Sequence, residues 1–214
     1  VYQWNKANGG GRRPSRLRTS PCGSLGRCKA RTDRYIVQHV RLFFFQLGDV
    51  DATVELTAYT GIAAFNIGFG AKTCCSSFNI RDTGAWNKEV KGDAARRLEQ
   101  QWRSVVLLIV DEISFIGTSF FARMHFRLQQ GRSRYFSERG IDPSGYTFGD
   151  ASVMLVGDFG QLEPIDDVSL VDQETTRETL HKSLRHLMPH IRHGRYLLRE
   201  FKEAFMLNRI HRSK

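Results

Sequence analysis

No apolar run in this sequence approaches the roughly 18 residues that a membrane-spanning helix needs, so an integral membrane role is not expected. Cysteine is scarce: Cys22, Cys28, Cys74 and Cys75 are the only four. Two of them are adjacent and two lie in a loose basic stretch. That pattern makes neither a disulfide framework nor a metal-ligand spacing, and it suits a reduced, intracellular protein. Acids are short too, 22 against 32 lysines and arginines, which leaves a net charge of +10. Such a balance excludes an acidic solvating chain and favours a polyanionic partner. No internal repeat is visible, so a solenoid is not expected. The first residue is Val rather than Met, which suggests a fragment or a processed end.

The acid deficit is steepest in residues 1–34, where Asp33 faces Lys6, Arg12, Arg13, Arg16, Arg18, Arg27, Lys29, Arg31 and Arg34. With Gly9-Gly10-Gly11 and two prolines, this segment buries little and is expected to be disordered. A nucleic-acid-contacting arm is the other reading. An amphipathic period that would support a mitochondrial leader is missing. Residues 35–214 are expected to form one folded domain, since 41% hydrophobic content supplies a core.

Within that domain, Tyr35–Phe45 and Val54–Ala58 are β-branched and aromatic and read as strands. Asp93–Trp102 reads as a helix with Ala95, Leu98 and Trp102 on one face. Phe120, Met124 and Leu128 recur at helical spacing. Gly131–Gly149 reads as loop and Ala151–Val156 as a buried strand. Residues 173–188 and 195–208 read as two helices separated by Pro189 and Gly194. Strands alternating with helices predict an α/β fold with a parallel sheet.

The central stretch is Val105–Ser114, VVLLIVDEIS. Its unbroken apolar run reads as a strand buried on both faces. Asp111 and Glu112 then fall at the carboxyl end, where open α/β sheets bind ligands. That spacing suits nucleotide hydrolysis, one carboxylate holding Mg²⁺ and the next orienting the attacking water. Alone it fits a core strand running into an acidic loop equally well.

Two further stretches end predicted strands in the same way: Leu56–Gly61 (LTAYTG) and Leu155–Pro164 (LVGDFGQLEP). In order, the three resemble motifs Ia, II and III of superfamily-one DNA helicases, most closely the PIF-type (petite integration frequency) enzymes. The first family pattern, T-A-P-T-G-x-A-A, stands here as Thr57 to Ala64 with Tyr59 in place of proline. The T-x-H-S that follows stands as Thr73-Cys74-Cys75-Ser76. G-D-F-x-Q-L-P-P is matched with Glu163 at the first proline. The resemblance covers roughly residues 40–165.

It implies a RecA-like, P-loop NTPase sheet flanked by helices, ATP and Mg²⁺ as cofactors, single-stranded DNA as partner, and a monomer. DNA repair, recombination and telomere maintenance are the processes implied, in the nucleus or alternatively the mitochondrion. It also implies Asp111 for Mg²⁺, Glu112 for the hydrolytic water and Gln161 for the γ-phosphate, with Gly157 and Asp158 in the same nucleotide-facing turn. An amide suits the γ-phosphate because it donates to phosphate and accepts from water at once. Thr60 and Gly61 would grip the DNA backbone and Ser76 would join them; Phe65 or Phe78 would stack bases, unless either is core. Arg212 matches the arginine-finger position, with Arg209 as competitor.

The sequence departs from this family at one decisive point. Nowhere does it contain G-x-x-x-x-G-K-[ST], whose amides and lysine cradle the β- and γ-phosphates. Gln46–Thr53 carries no lysine and has Asp49 and Asp51 instead, and it is too short for a crossover helix. The expected domain is therefore a partial first motor half without its phosphate loop, ending where a second RecA-like half would begin. On its own it is expected to bind ATP very weakly and not to unwind DNA. A non-catalytic single-stranded nucleic-acid-binding module and a decayed paralogue are the alternatives. Two weaker signals are Gly68-Phe69-Gly70, half of a dinucleotide fingerprint, and His186, His190 and His193 as zinc ligands.

Overall fold

A computed structural model describes residues 2–5, 35–40, 42, 53–80 and 89–205. Its frame is a sheet in the order β3-β2-β4-β5-β1-β6. Four strands are parallel: β2 (Thr53–Ala58), β3 (Lys72–Thr73), β4 (Val105–Asp111) and β5 (Ser152–Val156). β1 (Tyr2–Asn5) runs antiparallel beside β5, and β6 (Glu203–Phe205) runs antiparallel beside β1.

Helices cover both faces, and β4 shows why its sequence has no polar alternation. Leu108 and Val110 join the core with Trp102 and Leu98 of α4 (Gly92–Trp102), and with Phe121, Met124 and Leu128 of α5 (Thr118–Gly131). Leu107 and Ile109 point the other way, toward Val37, toward Val54 and Leu56 of β2, and toward Ala63, Ala64 and Ile67 of α2 (Gly61–Ile67). A strand buried on two sides needs apolar residues at every position. The expected parallel α/β sheet is present.

Several local expectations are corrected. Residues 35–40 are helical (α1), not a strand, and 43–45 lie outside the described residues. Ile36, Val37 and Val40 share one side of that helix and pack on the second core. Their β-branched character suggested a strand, but tertiary burial overrode the local preference. Tyr2–Asn5, placed in the disordered segment by composition, forms β1; residues 6–34 lie outside the described residues.

The expected loop 131–149 contains a helix, α6 (Ser133–Ser137), and two 3-10 turns. Residues 173–181 are irregular, followed by a 3-10 helix Lys182–Leu187 and then α7 (Met188–Arg199). Pro189 falls in the first turn of α7, where its missing N–H costs nothing. After Arg199 the chain turns into β6 rather than continuing as a helix to residue 208.

Candidate functional site

The parallel register decides which loops meet. Ala58 of β2 pairs with both Asp111 of β4 and Thr73 of β3, and Val110 of β4 pairs with Leu155 of β5. Thr60, Glu112, Ser76 and Gly157 therefore all leave the sheet at its carboxyl rim.

At that rim the Thr60 hydroxyl donates to Glu112 Oε2 at 2.9 Å. Thr60 Oγ1 in turn accepts from Ala63 N at 3.2 Å and so caps the start of α2. One hydroxyl thus ties the first helix turn to the acid. Glu112 is left-handed, with φ 55° and ψ 46°, a conformation costing a non-glycine residue about 1–3 kcal/mol. Its N–H donates to Asp111 Oδ1 at 2.7 Å, and the Thr60 bond fixes its side chain.

Tyr59, where the family pattern has proline, stacks on Phe115 with centroids 6.1 Å apart and meets Phe120 edge-on at 5.8 Å. This aromatic brace holds the turn before Thr60 against the turn after Glu112. Asp111 is nearly buried. Behind it lies Cys74, whose thiol is pushed up to about 12 by burial, with Asp111 adding to the shift. That thiol is inert at neutral pH and serves as packing.

The loop after β5 closes on the same place. A Cβ on Gly157 would stand 2.8 Å from Ile113 Cγ2 and 2.9 Å from Ile113 N, so only glycine lets β5 run so close to the residue after Glu112. The far end of this loop is pinned by Asp167, which accepts from Ser119 N at 3.2 Å and Phe120 N at 2.9 Å at the start of α5. Between these anchors the loop is exposed. Asp158 takes the Gly160 N–H at 2.9 Å, and the Gln161 N–H donates to the Asp158 carbonyl at 3.1 Å. The Gln161 side chain is exposed and makes no hydrogen bond among the described residues. It shares the rim with the acidic pair without touching it.

The DNA-facing candidates divide. Phe65 is 86% exposed and available for stacking, whereas Phe78 is fully buried against Trp102 with centroids 4.8 Å apart. Phe78 is core, the reading left open for it. Nothing lies within 4 Å of where a Cβ on Gly61 would be, so its backbone is open to approach. Ser76 is exposed in the short helix α3 (Cys74–Ser77), with its N–H given to Thr73 Oγ1 at 3.2 Å. Arg209 and Arg212 lie outside the described residues, as do positions 46–52.

Among the described residues no group of three or more His, Cys, Asp or Glu could hold a metal ion, so the histidine-rich stretch is not a zinc site. Gly68-Phe69-Gly70 is a left-handed turn ending α2, with φ of 70°, 55° and 75°, and it leads into β3 rather than into a helix that could carry a dinucleotide. No described helix is long and apolar enough to cross a membrane.

The family profile of PIF1-like helicases matches residues 32–188. The chain belongs to that family. It is also similar to the ATP-dependent DNA helicase PIF4 of Trypanosoma brucei brucei, 33% identical over 118 residues. That alignment takes in 52% of this chain and 13% of the trypanosome protein, so the PIF1-like chain spans only a small part of that relative's length. Among solved structures, Pif1 helicase from Candida albicans is 24% identical with a TM-score of 0.49, over 75% of this chain and 34% of that one. A Bacteroides Pif1 crystallised with ADP-AlF3 and ssDNA is 22% identical with a TM-score of 0.43, over 64% and 26%.

The PIF1-like sheet, with its parallel strands and helices on both faces, is RecA-like. Sequence reasoning missed the Thr60–Glu112 bond, the Tyr59–Phe115 brace and the Asp167 anchor. All three join residues about 50 positions apart. The β2–β4 register brings the first two together, and the bridge between Gly117 and Ser169 sets Asp167 beside the start of α5.

Proposed function

We propose that this chain contributes the DNA-facing rim and the hydrolytic acids of the first motor half of an ATP-dependent DNA helicase. The observation that carries the reading is the 2.9 Å bond from Thr60 to Glu112. It puts a residue suited to the DNA backbone in direct contact with the acid suited to the attacking water. Gly61, Ser76 and Phe65 supply open-amide, hydroxyl and aromatic contacts that grip a single strand without reading bases, and Thr60 joins them when its one O–H turns from Glu112 to a phosphate. The trypanosome relative is described as ATP-dependent, in keeping with this assignment.

Mg²⁺ typically takes one or two carboxylates and completes its shell with water and substrate phosphates. Asp111, at the strand end beside an acidic neighbour, fits that donor set. When bound, the ion would neutralise charge between the phosphates. Asp111 would hold it, Glu112 would orient water, and Gln161 would reach a terminal phosphate from its exposed loop. The phosphate cradle itself has no counterpart in the sequence, which contains no G-x-x-x-x-G-K-[ST]. That observation favours a second reading, a single-stranded DNA-binding module without hydrolysis.

Paired titrations of the chain test both parts. Labelled oligothymidylate should bind with an affinity that falls steeply with salt, by about 0.7 log unit per log unit of salt for each phosphate contacted. A fluorescent ATP analogue should not saturate at micromolar concentrations. Micromolar nucleotide affinity would restore the cradle by some other route and refute the half-site. DNA binding indifferent to salt would remove the rim. In a chain carrying a phosphate loop, DNA-stimulated hydrolysis separates the motor from the module.

A further inference from the structure

Next to Ser76 the surface dips into a cavity of about 220 Å³ between α3 and α4, lined by Ser76, Ser77, Asn79, Arg97, Leu98 and Gln101 among others. Two of these lining residues, Ser77 and Gln101, are already engaged with a neighbouring carboxylate. Glu55 accepts from Gln101 Nε2 at 2.8 Å, from Lys72 Nζ at 3.2 Å and from the Ser77 hydroxyl, while Gln101 Nε2 also reaches Ser77 Oγ at 3.0 Å. One helical position away, Arg96 pairs with Asp93. Arg97 is exposed and has neither an acidic nor a hydrogen-bonding partner among the described residues. Ser76 Oγ, likewise, makes no hydrogen bond among them.

A cation and a hydroxyl thus face one small polar cavity while the nearby carboxylate is occupied elsewhere. Small-molecule pockets run to roughly 300–1,000 Å³ and are mostly apolar, so this one is too small and too polar for such a ligand. A guanidinium fork matches phosphate oxygens in pairs.

We propose that this cavity seats a backbone phosphate of single-stranded DNA, with Arg97 as its charge partner and Ser76 as a second donor. It extends the strand's path from Thr60, past α3, onto α4. The inference rests on the rim reading above and deepens it by adding a residue that the motifs do not contain.

Fluorescence anisotropy of the whole chain with labelled oligothymidylate, repeated over a salt series, is the test. Arg97 is a surface side chain, so its replacement leaves the core intact. Arg97→Ala is expected to weaken binding about five- to twentyfold at low salt and to flatten the salt slope by about 0.7–1. Arg97→Lys should keep most of the slope while losing part of the affinity. Unchanged affinity and slope in Arg97→Ala, while Phe65→Ala weakens binding, would overturn the phosphate seat and leave the rim standing. Weaker binding with an unchanged slope would also reject a phosphate there. Failure of the unmutated chain to bind the oligonucleotide would remove the rim and the seat together.

Discussion

Replacing Gly194 with alanine is expected to destabilise the fold by about 3 kcal/mol, the upper range for overpacking a filled interior. Gly194 lies inside α7, where glycine normally costs stability. Here it buys close approach: a Cβ would stand 2.0 Å from the Thr118 carbonyl oxygen, 2.8 Å from its carbon and 3.1 Å from Thr118 Cα. All three atoms are backbone, so no rotamer change relieves the clash. Nor can α5 retreat freely. Thr118 N and Oγ1 both donate to Val168 O, at 2.8 Å and 3.1 Å, and Asp167 caps the two residues that follow. Pushing α7 away would disturb the anchor that holds the far end of the Gly157–Asp167 loop. Urea denaturation should show a lower midpoint with unchanged slope. A loss under about 0.5 kcal/mol, typical of a surface site, would mean that the helices do not meet this closely.

Acid should unfold the chain in a window set by His125. This residue is buried in α5, accepts the Phe148 N–H on Nδ1 at 2.9 Å, and stands 5.1 Å from the His193 ring. Burial, with His193 adding to it, pushes its pKa down from 6.5 to about 3. The native state therefore holds a neutral imidazole while the unfolded chain protonates near 6.5. Between those values the unfolded state binds more protons, so stability is complete above about pH 6.5 and falls as pH drops. The expected loss is about 2 kcal/mol at pH 5 and about 4–5 kcal/mol below pH 3. His190 and His193 are shifted down as well, chiefly by burial, and act in the same direction. Chemical denaturation across this range checks it, with His125→Gln as the comparison. Equal pH dependence in the two proteins would place the acid sensitivity elsewhere.

The central strands were legible because β4 is apolar at consecutive positions, a pattern with few structural solutions. The acidic pair was legible for the same reason, as the first polar residues after that run. Other elements failed where one residue type serves two purposes. Ile36, Val37 and Val40 favour strands by branching yet lie on one side of a helix that the second core buries. Pro189 and Gly194 look like helix breaks, but α7 uses one in its first turn and the other for contact with Thr118. Phe65 and Phe78 are the same residue type, each followed by Asn-Ile in the sequence, yet one is exposed while the other is sealed against Trp102. The bond between Thr60 and Glu112 could not be read at all, because it exists only once Ala58 is set beside Asp111.

The bond from Thr60 to Glu112 carries the proposed function, since it would make the DNA-contacting hydroxyl and the hydrolytic acid one unit. A double-mutant cycle on single-stranded DNA affinity addresses it without requiring ATP turnover. Thr60→Val, Glu112→Gln and the double variant should show a coupling energy of about 1 kcal/mol or more, as residues in direct contact do. Affinity changes that add to within about 0.3–0.5 kcal/mol would show two independent residues and contradict the coupling.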